Sequence, residues 1–217
     1  MLLEGELYNA PVISSPQNIL DLGTGTGIWV MDIAEYMKYS ILYFCMPGRL
    51  TLNFGRFPNA HVIKNDISPI QPSWMAPNIE SIVEHFESEW KHEQNHFDVI
   101  DARYLAGCVA DWSKFMSRTH DHVKPRGYLE SHERAMSARR GDEFLKETSA
   151  PMEWLQAANS AGERLESWMI EAGFEYVSLS VYNPPFSPWP RDQVVASHRF
   201  LFAALVHAGS GLRFGCG

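Results

Sequence analysis

Three glycines at alternate positions, Gly23, Gly25 and Gly27, follow the apolar run 17–22 and precede a helix-forming stretch. A glycine has no Cβ, so a backbone built from alternate glycines can bend sharply and approach a bound molecule closely. Asp21 lies two residues before the first glycine. These residue types between a strand and a helix indicate a loop that binds a nucleotide-like ligand.

The spacing of the glycines separates two classes of ligand. Dinucleotide-binding loops read G-x-G-x-x-G and place a pyrophosphate at the helix N-terminus. This chain reads G-x-G-x-G, with Thr24 and Thr26 between the glycines. The shorter spacing favours S-adenosylmethionine, which has no phosphate and carries an ammonium, a carboxylate and a sulfonium. An NAD site and a glycine-rich turn that binds no ligand are the two alternatives.

A nucleotide site also needs a carboxylate at the end of the second strand, about 20 residues beyond the glycines, to bind the ribose hydroxyls. Asp66 ends the strand predicted for 61–66, but it lies 39 residues after Gly27. Removal of the 20 residues 37–56 would shorten this separation to 19. We therefore predict that 37–56 is an insertion of the kind that a retained intron would leave. A hairpin or helix extension of this protein is the alternative.

The elements that would position these residues alternate along the chain. Buried strands are predicted at 17–22, 61–66, 97–103, 128–133 and 174–182, and helices at 28–36, 112–123 and 143–172. Asp111 is the predicted N-cap of the second helix, a turn is predicted at 125–127, and Gly173 ends the third helix. This order predicts an α/β fold with a mainly parallel sheet covered by helices on both faces. Ligands bind beyond the carboxyl ends of the strands in such a sheet.

The composition limits the class of partner. The chain has 217 residues, a formal net charge of −8 and no run of basic residues, so we expect no nucleic acid partner. No apolar stretch approaches the roughly 20 residues of a membrane helix, so we expect no membrane partner. Cys45, Cys108 and Cys216 have neither metal-ligand nor disulfide spacing. We therefore expect no metal and an intracellular location, cytoplasmic or nuclear.

Side chains at the predicted strand ends are candidates for catalysis. His132 lies at the end of the fourth strand, and His120 lies in the helix before that strand. Either could act as a general base for a substrate group that loses a proton. Asp101 and Glu130 end strands on the ligand side and could contact a ligand ammonium or the acceptor. The alternatives are surface or capping roles for the histidines, and hydrogen bonds to loop backbone for the carboxylates.

Several sequence segments occur together in one protein family. The chain reads NILDLGTGTGIW at 18–29, NDISPIQPSW at 65–74, FDVIDARYLAG at 97–107, DW at 111–112, KPRGYLE at 124–130 and PWPRD at 188–192. These segments resemble the LaeA-like, or UMTA, fungal methyltransferases. The resemblance implies a single class I methyltransferase domain over 1–217, with a Rossmann-like sheet and S-adenosylmethionine as the cofactor. It also implies methyl transfer to an oxygen, nitrogen or carboxylate of a small molecule in fungal secondary metabolism.

The resemblance also implies cofactor contacts, residue by residue. Asp21 and the three glycines would line the methionine end of the cofactor, and Asp66 would bind its ribose. Ile67 and Ser68 would flank the adenine, while Arg103 and Tyr104 would lie at the mouth of the pocket. The implied cofactor-binding set is Asp21, Gly23, Thr24, Gly25, Gly27, Asp66, Ile67, Glu87 and Arg103.

The chain departs from the family pattern at several places. His85 stands where the family has a carboxylate near the adenine amino group, and Arg126 replaces a glycine. The N-terminal helical region and the final antiparallel strand of the family are not recognisable. We therefore predict a fold that lacks the N-terminal cap and that strand, with a divergent segment at 184–217. These departures leave two alternatives open. The chain could be a catalytically weak or inactive product of truncation or mis-splicing, or it could act as a protein partner in a regulatory complex.

Overall fold

The computed structural model describes residues 7–12, 15–34, 57, 59–73, 75–133, 139–140, 143–144, 150–181 and 204–209. The predicted insertion 37–56 and the PWPRD segment lie outside these residues. So does the divergent segment 184–217, apart from 204–209. Among the described residues, no helix has the length and apolar character to cross a membrane.

A seven-stranded sheet forms the centre of the structure, with the strand order β3-β2-β1-β4-β5-β9-β8. The strands are β1 Asn18–Leu22, β2 His61–Asp66, β3 Ile79–Val83, β4 Phe97–Arg103, β5 Val123–Glu133, β8 Glu175–Val181 and β9 Ala204–Gly209. The five strands from β3 to β5 are parallel to one another. Strand β9 runs antiparallel to both of its neighbours, β5 and β8. The predicted Rossmann-like architecture with a mainly parallel sheet is thus confirmed.

The prediction that the final antiparallel strand is missing is wrong. Strand β9 fills that place, and its residues 204–209 pair with Tyr128–Glu133 of β5. The run ALVHAG is short and mostly apolar, and it follows a proline-rich segment that interrupts the strand–helix alternation. A short apolar run cannot be assigned to a strand or a helix by its periodicity alone. These residues are recognisable as a strand only in the structure, where they pair with the edge of β5.

Within the described residues, three helices cover the sheet: α1 Ile28–Ala34, α2 Trp112–His122 and α3 Ala150–Glu171. Asp111 is the N-cap of α2, as predicted, because its carboxylate accepts a hydrogen bond of 3.0 Å from Lys114 N. Helix α3 ends at Gly173, whose φ is +101°. Phe174 N donates to Met169 O at 3.1 Å, which is the 6→1 hydrogen bond of a Schellman cap.

Two boundaries differ from the predicted ones. Residues 143–144 form β7, which pairs with β6 (Arg139–Arg140), and the helix α3 begins at Ala150. Gly141 and Asp142, which favour turns, stand between β6 and β7 in the sequence. The turn predicted at 125–127 is an irregularity inside β5, which shifts the register against β4 between Phe97 and Val99.

The core has one cluster on each face of the sheet, because successive residues of a strand point to opposite faces. One cluster packs α2 and α3 on the sheet and includes Leu20, Leu22, Ile63, Ile100 and Leu129. In it, the rings of Trp112 and Trp168 stack at 5.3 Å. The other cluster packs α1 on the sheet and includes Ile19, Val30, Ile33, Val62 and Val99. The sheet is therefore covered on both faces, and ligand access is left to its edges and ends.

Asp98 joins the beginnings of the three strands that carry the site. Its Oδ2 accepts hydrogen bonds of 2.9 Å from Gln17 N, Asn18 N and Lys124 Nζ. Burial alone would raise the pKa of Asp98, but the ammonium of Lys124 and the two backbone N–H groups outweigh it and lower the pKa. The ionised form of Asp98 therefore stabilises the fold.

We expect Asp98→Asn to lower the free energy of unfolding at pH 7 by about 1.5–3 kcal/mol, the range for hydrogen bonds to a charged group. Because the folded-state pKa of Asp98 is depressed, the stabilisation is present above the unfolded pKa and is lost as pH falls through the folded pKa. Urea unfolding at pH 7 and in acid should show the gap between wild type and variant closing in acid. Asp121→Asn, which removes an exposed carboxylate of α2, is the matched control.

Candidate functional site

The glycine loop, residues 23–27, follows β1 and passes beside the end of β2. Its glycines have positive φ values of 66° for Gly23, 59° for Gly25 and 79° for Gly27. A Cβ on Gly23 would lie 2.5 Å from Leu105 Cδ2, so a larger residue would have to displace the Leu105 side chain and would also adopt a strained positive φ. A Cβ on Gly25 would meet nothing closer than Gly23 O at 4.0 Å. The loop is therefore packed tightly on its inner side and leaves a bare backbone cradle at Gly25.

Asp66 is joined to the glycine loop at the carboxyl end of β2. Its Oδ2 accepts a 2.7 Å hydrogen bond from Gly25 N, and its Oδ1 accepts a 2.8 Å hydrogen bond from Ser68 N. A carboxylate offers about four acceptor positions, so lone pairs remain for two ligand hydroxyls. Ile67, the next residue, is 67% exposed beside this carboxylate. These features fit the ribose and adenine contacts that the sequence predicts.

Two residues that sequence reasoning missed brace the loop from the side of β2. Gln71 Nε2 donates to Gly25 O at 2.6 Å, and Lys64 Nζ donates to Gln71 Oε1 at 2.7 Å. Burial lowers the pKa of Lys64, while the charges of Asp66 and Asp21 oppose that shift. A lysine in the middle of a buried strand was the signal for this brace in the sequence.

Three buried carboxyl groups form a row across the sheet. Asp21 of β1 pairs with Asp101 of β4, and Asp101 pairs with Glu130 of β5. Each is at most 4% exposed. Adjacent strands lie about 4.8 Å apart, so the three carboxyl groups are neighbours on one face of the sheet. We call Asp21, Asp101 and Glu130 the carboxylate row.

The pKa of Asp21 is raised well above its ordinary value, chiefly by burial and then by the negative charge of Asp101. Thr24 Oγ1 donates to the main-chain oxygen of Asp21 at 3.2 Å, which fixes the start of the loop. A positively charged ligand group beside Asp21 would favour its ionised form. The row therefore suits a cationic ligand group next to the glycine loop.

Arg103 supplies the positive charge at the centre of the row. Its Nε lies 2.8 Å from Asp101 Oδ2, and its Nη2 donates to Asp101 Oδ1 at 3.0 Å. The guanidinium also lies 4.6 Å from the centre of the Trp29 ring. Burial acts to lower the pKa of Arg103, but the charge of Asp101 outweighs it and raises the pKa. Arg103 is thus bound to Asp101 in a bidentate pair, and its place at the mouth of the cofactor pocket stays a prediction.

Glu130 and His132 form a buried pair at the carboxyl end of β5. His132 Nε2 lies 2.7 Å from Glu130 Oε1. Burial would raise the pKa of Glu130, but the hydrogen bond from His132 and those from Asn9 N and Ala10 N lower it. Because an ionised carboxylate can only accept, His132 Nε2 carries a proton. In neutral His132 the lone pair is therefore on Nδ1.

Residues 7–10 cross the carboxylate row, and we call them the strap. Leu7 O accepts hydrogen bonds of 3.0 Å from Arg103 Nη2 and 2.8 Å from Trp29 Nε1. At the other end, Glu130 Oε2 accepts from Asn9 N at 2.9 Å and Ala10 N at 2.8 Å. The strap is therefore fixed by Arg103 and Trp29 at one end and by Glu130 of the carboxylate row at the other. Residues 1–6 lie outside the described residues, and the predicted lack of the family's N-terminal cap stays a prediction.

Asp101, Glu130 and His132 each place one potential metal-ligand atom within 4.8 Å of the others. The guanidinium of Arg103 already binds both oxygens of Asp101. The backbone N–H groups of the strap bind Glu130. The positive charge that a metal ion would bring is therefore already provided, and we assign this cluster to hydrogen bonding.

Other predicted residues lie in different surroundings. His120 packs edge-on against Phe174 at 5.0 Å, near the end of α3 and away from the glycine loop. Glu87 Oε1 accepts a 2.9 Å hydrogen bond from Ala110 N and so holds the segment before α2. His85 is exposed, and its Nδ1 accepts from Glu87 N at 3.2 Å. The structure brings none of these three to the carboxylate row.

Tyr104 follows Arg103 at the end of β4 with a φ of 57°. Its N–H donates to His132 O at 2.8 Å, which joins the carboxyl ends of β4 and β5. Next to it, Glu133 accepts hydrogen bonds from Leu105 N at 2.6 Å and Ala106 N at 3.1 Å. The loop after β4 is thus fixed over the glycine loop.

Comparison with protein families gives one match over most of the chain. A family model described as a methyltransferase domain matches residues 4–179. This range includes the glycine loop, Asp66, the whole carboxylate row and the strap.

Two curated relatives match most of the chain. Methyltransferase pytC of Aspergillus terreus is 28% identical over 201 residues, which cover 88% of this chain and 56% of that protein. Secondary metabolism regulator LAE1 of Cochliobolus heterostrophus is 29% identical over 203 residues, which cover 87% of this chain and 60% of that protein. This chain therefore spans a little over half the length of these relatives.

Solved structures share the fold at low sequence identity. Phosphoethanolamine N-methyltransferase 2 of Haemonchus contortus, in complex with S-adenosyl-L-methionine, has a TM-score of 0.58 at 14% identity and covers 93% of this chain and 50% of that chain. A SAM-dependent methyltransferase from Aquifex aeolicus has a TM-score of 0.54 at 15% identity and covers 96% of this chain and 87% of that chain. The fold is the Rossmann-like class I fold of these enzymes.

Proposed function

Because this chain belongs to the methyltransferase domain family, we propose that it transfers a methyl group from S-adenosylmethionine to a small molecule of fungal secondary metabolism. The observation that carries the proposal is the hydrogen bond between Gly25 N and the Asp66 carboxylate, which joins a bare glycine cradle to a ribose-binding group. The names of the fungal relatives support the metabolic setting.

The residues present fit S-adenosylmethionine. Asp21 offers a buried carboxyl group whose raised pKa would fall beside a cation, and Asp66 keeps free lone pairs for the ribose. Gly23, Thr24, Gly25 and Gly27 form the loop between them, and Ile67 offers an exposed apolar surface to the adenine. For Arg103 and Glu87 we propose positioning roles, because Asp101 and the residues before α2 occupy their charged groups.

S-adenosylmethionine supplies an activated methyl group. The protein then has to align the acceptor and, where the acceptor carries a proton, to remove that proton. Alignment alone can account for about 7–11 kcal/mol of a barrier. Glu130 fixes the tautomer of His132, and Nδ1 can then accept a proton from a hydroxyl or amine. A carboxylate acceptor would need no such base. We therefore propose His132 as the general base for O–H and N–H acceptors.

We expect His132→Gln to lower the rate of methyl transfer by about 10²–10⁴-fold for a hydroxyl or amine acceptor. The rate with a carboxylate acceptor should change little, because an ionised acceptor has no proton to lose. The rates are measured with S-adenosylmethionine that carries a labelled methyl group. His120→Gln is the matched control and should leave both rates unchanged, since His120 packs on Phe174. Equal losses for all acceptor classes would contradict the role as base.

The function is tested with a panel of phenols, amines and carboxylic acids, and the readouts are labelled product and S-adenosylhomocysteine. The proposal predicts product from at least one class, and predicts its loss in Asp66→Ala. If the folded chain binds S-adenosylmethionine but forms no product with fungal metabolite extracts, the proposed transfer is wrong.

A second candidate is a regulatory protein that acts through a partner. The observation that favours it is that one curated relative is a protein named as a secondary metabolism regulator. Cofactor binding without turnover, together with a stable complex isolated with the tagged chain from fungal cells, would support this candidate. Rapid turnover of a small molecule by the isolated chain would favour the enzyme.

A further inference from the structure

Gly25 has no side-chain packing that fixes its conformation. A Cβ at this position would meet nothing closer than Gly23 O at 4.0 Å, and the φ of Gly25 is 59°. Glycine adopts positive and negative φ values with similar ease, so contacts on both sides of its Cα have to select this conformation. Gly25 N donates to Asp66 Oδ2 at 2.7 Å, and Gly25 O accepts from Gln71 Nε2 at 2.6 Å. The shape of the glycine cradle therefore depends on Asp66 and Gln71 together.

Gln71 also contacts the segment that carries Asp66. Its Nε2 donates a second hydrogen bond of 3.1 Å to Ser68 O, and Ser68 N donates to Asp66 Oδ1 at 2.8 Å. The stem of Gln71 packs on the last glycine of the loop, because a Cβ on Gly27 would lie 3.2 Å from Gln71 Cγ. One side chain thus joins the glycine loop to the residue proposed to bind the ribose.

Lys64 fixes the orientation of the Gln71 amide. The two ends of a glutamine amide have a similar shape but opposite roles, since the oxygen accepts and the nitrogen donates. Lys64 is 5% exposed, and its Nζ donates to Gln71 Oε1 at 2.7 Å. An ammonium group cannot accept a hydrogen bond, so the amide oxygen faces Lys64. The amide nitrogen is then directed at Gly25 O.

We propose that Gln71 is a positioning residue that sets the affinity of the glycine loop for S-adenosylmethionine, and that Lys64 acts through it. This role rests on the proposed function, because it takes S-adenosylmethionine as the ligand of the loop. Gln71 holds Gly25 in one conformation before the ligand arrives, so less conformational freedom is lost on binding. Both acceptors of Gln71 Nε2 lie in loops, so removal of the donor should weaken binding and leave the core folded.

Gln71→Glu tests the donor with almost no change of shape. At pH 7 the introduced carboxylate can still accept from Lys64, but it cannot donate to Gly25 O. We expect the Kd for S-adenosylmethionine, measured by calorimetry, to rise at least about tenfold over that of the wild type. A carboxyl group of ordinary pKa, about 4.3, is partly protonated at about pH 5 and can then donate again. The ratio of the two Kd values should therefore narrow by about threefold at that pH.

Three further variants separate the donor from other effects. Gln71→Met removes the amide without adding a carboxyl group, so its loss of affinity should be the same at both pH values. Gln17→Glu makes the matched change at an exposed glutamine, whose Nε2 donates to Ser15 O at 3.1 Å, and should leave the affinity unchanged. Lys64→Met should weaken binding less than Gln71→Met does. The double variant Lys64→Met/Gln71→Met should bind like Gln71→Met alone, because Lys64 acts through Gln71.

Failure of this role and failure of the proposed function give different results. No binding of S-adenosylmethionine by the folded wild-type chain would show that the proposed cofactor is wrong, and the role of Gln71 would fall with it. If the wild type binds, the role is overturned by a folded Gln71→Met variant that binds as tightly. It is also overturned if the ratio for Gln71→Glu is the same at both pH values. Additive losses in the double variant would overturn the part assigned to Lys64. Circular dichroism at both pH values shows that each variant is folded.

Discussion

Replacement of Arg103 by leucine should lower the free energy of unfolding by about 3–5 kcal/mol, the usual cost of removing one partner from a buried ion pair. Asp101 is fully buried, and Arg103 binds both of its carboxylate oxygens. Without the guanidinium, the charge of Asp101 would stand beside Asp21 and Glu130 with no bidentate partner. The strap would also lose the hydrogen bond at Leu7 O. Urea unfolding at neutral pH measures the loss.

Protonation can relieve part of this loss. The pKa of Asp101 is raised by burial even with Arg103 present, and it should rise further in the variant. A raised pKa favours the protonated fold at low pH, so the deficit of Arg103→Leu should shrink as pH falls and grow as pH rises. Arg164→Leu is the matched control, because Arg164 is exposed and lies 4.7 Å from the Trp168 ring without a buried carboxylate. A pH-independent change below 1 kcal/mol in Arg103→Leu would contradict the account.

Asp66→Ala should weaken the binding of S-adenosylmethionine by about 100-fold, since each hydrogen bond to a charged group is worth about 1.5–3 kcal/mol. The substitution removes the proposed ribose contact and also leaves Gly25 N and Ser68 N without their acceptor. Both effects act on the glycine loop and not on the core. Isothermal calorimetry measures the change in Kd.

Asp111→Ala is the matched control for Asp66→Ala. It removes the same charge from the N-cap of α2, where the carboxylate binds Lys114 N. We expect it to cost stability of about 1 kcal/mol and to leave the affinity unchanged. If Asp66→Ala binds S-adenosylmethionine as well as Asp111→Ala does, Asp66 is not the ribose-binding residue.

Much of the fold could be predicted from local patterns. The strands at 61–66 and 97–103 are found with the predicted ends, because each is a buried run bounded by turn-forming or polar residues. Strand β3 was missed because IESIV lies at the sheet edge, with Glu80 and Ser81 exposed. Strand β9 was missed because only pairing with β5 and β8 distinguishes it. Edge and late strands are defined by their partners more than by their own sequence.

The site, like the fold, has features that local sequence patterns predict and features that they do not. The glycine loop and Asp66 could be predicted, because their contacts involve neighbouring elements with strong spacing rules. Asp21, Asp101 and Glu130 were each predicted on the ligand side, but their arrangement side by side could not be, because it depends on the register of β1, β4 and β5. The contacts of Lys64 and Gln71 likewise arise from tertiary packing, although a lysine within a buried strand marks their place in the sequence.

The most direct test of the central claim is a calorimetric titration of the purified chain with S-adenosylmethionine and, separately, with NADH. The account predicts micromolar binding of S-adenosylmethionine with one site per chain and no binding of NADH, because the G-x-G-x-G cradle and the carboxylate row suit a cationic ligand without phosphates. Binding of NADH, or no binding of S-adenosylmethionine by a folded and monodisperse sample, would contradict it.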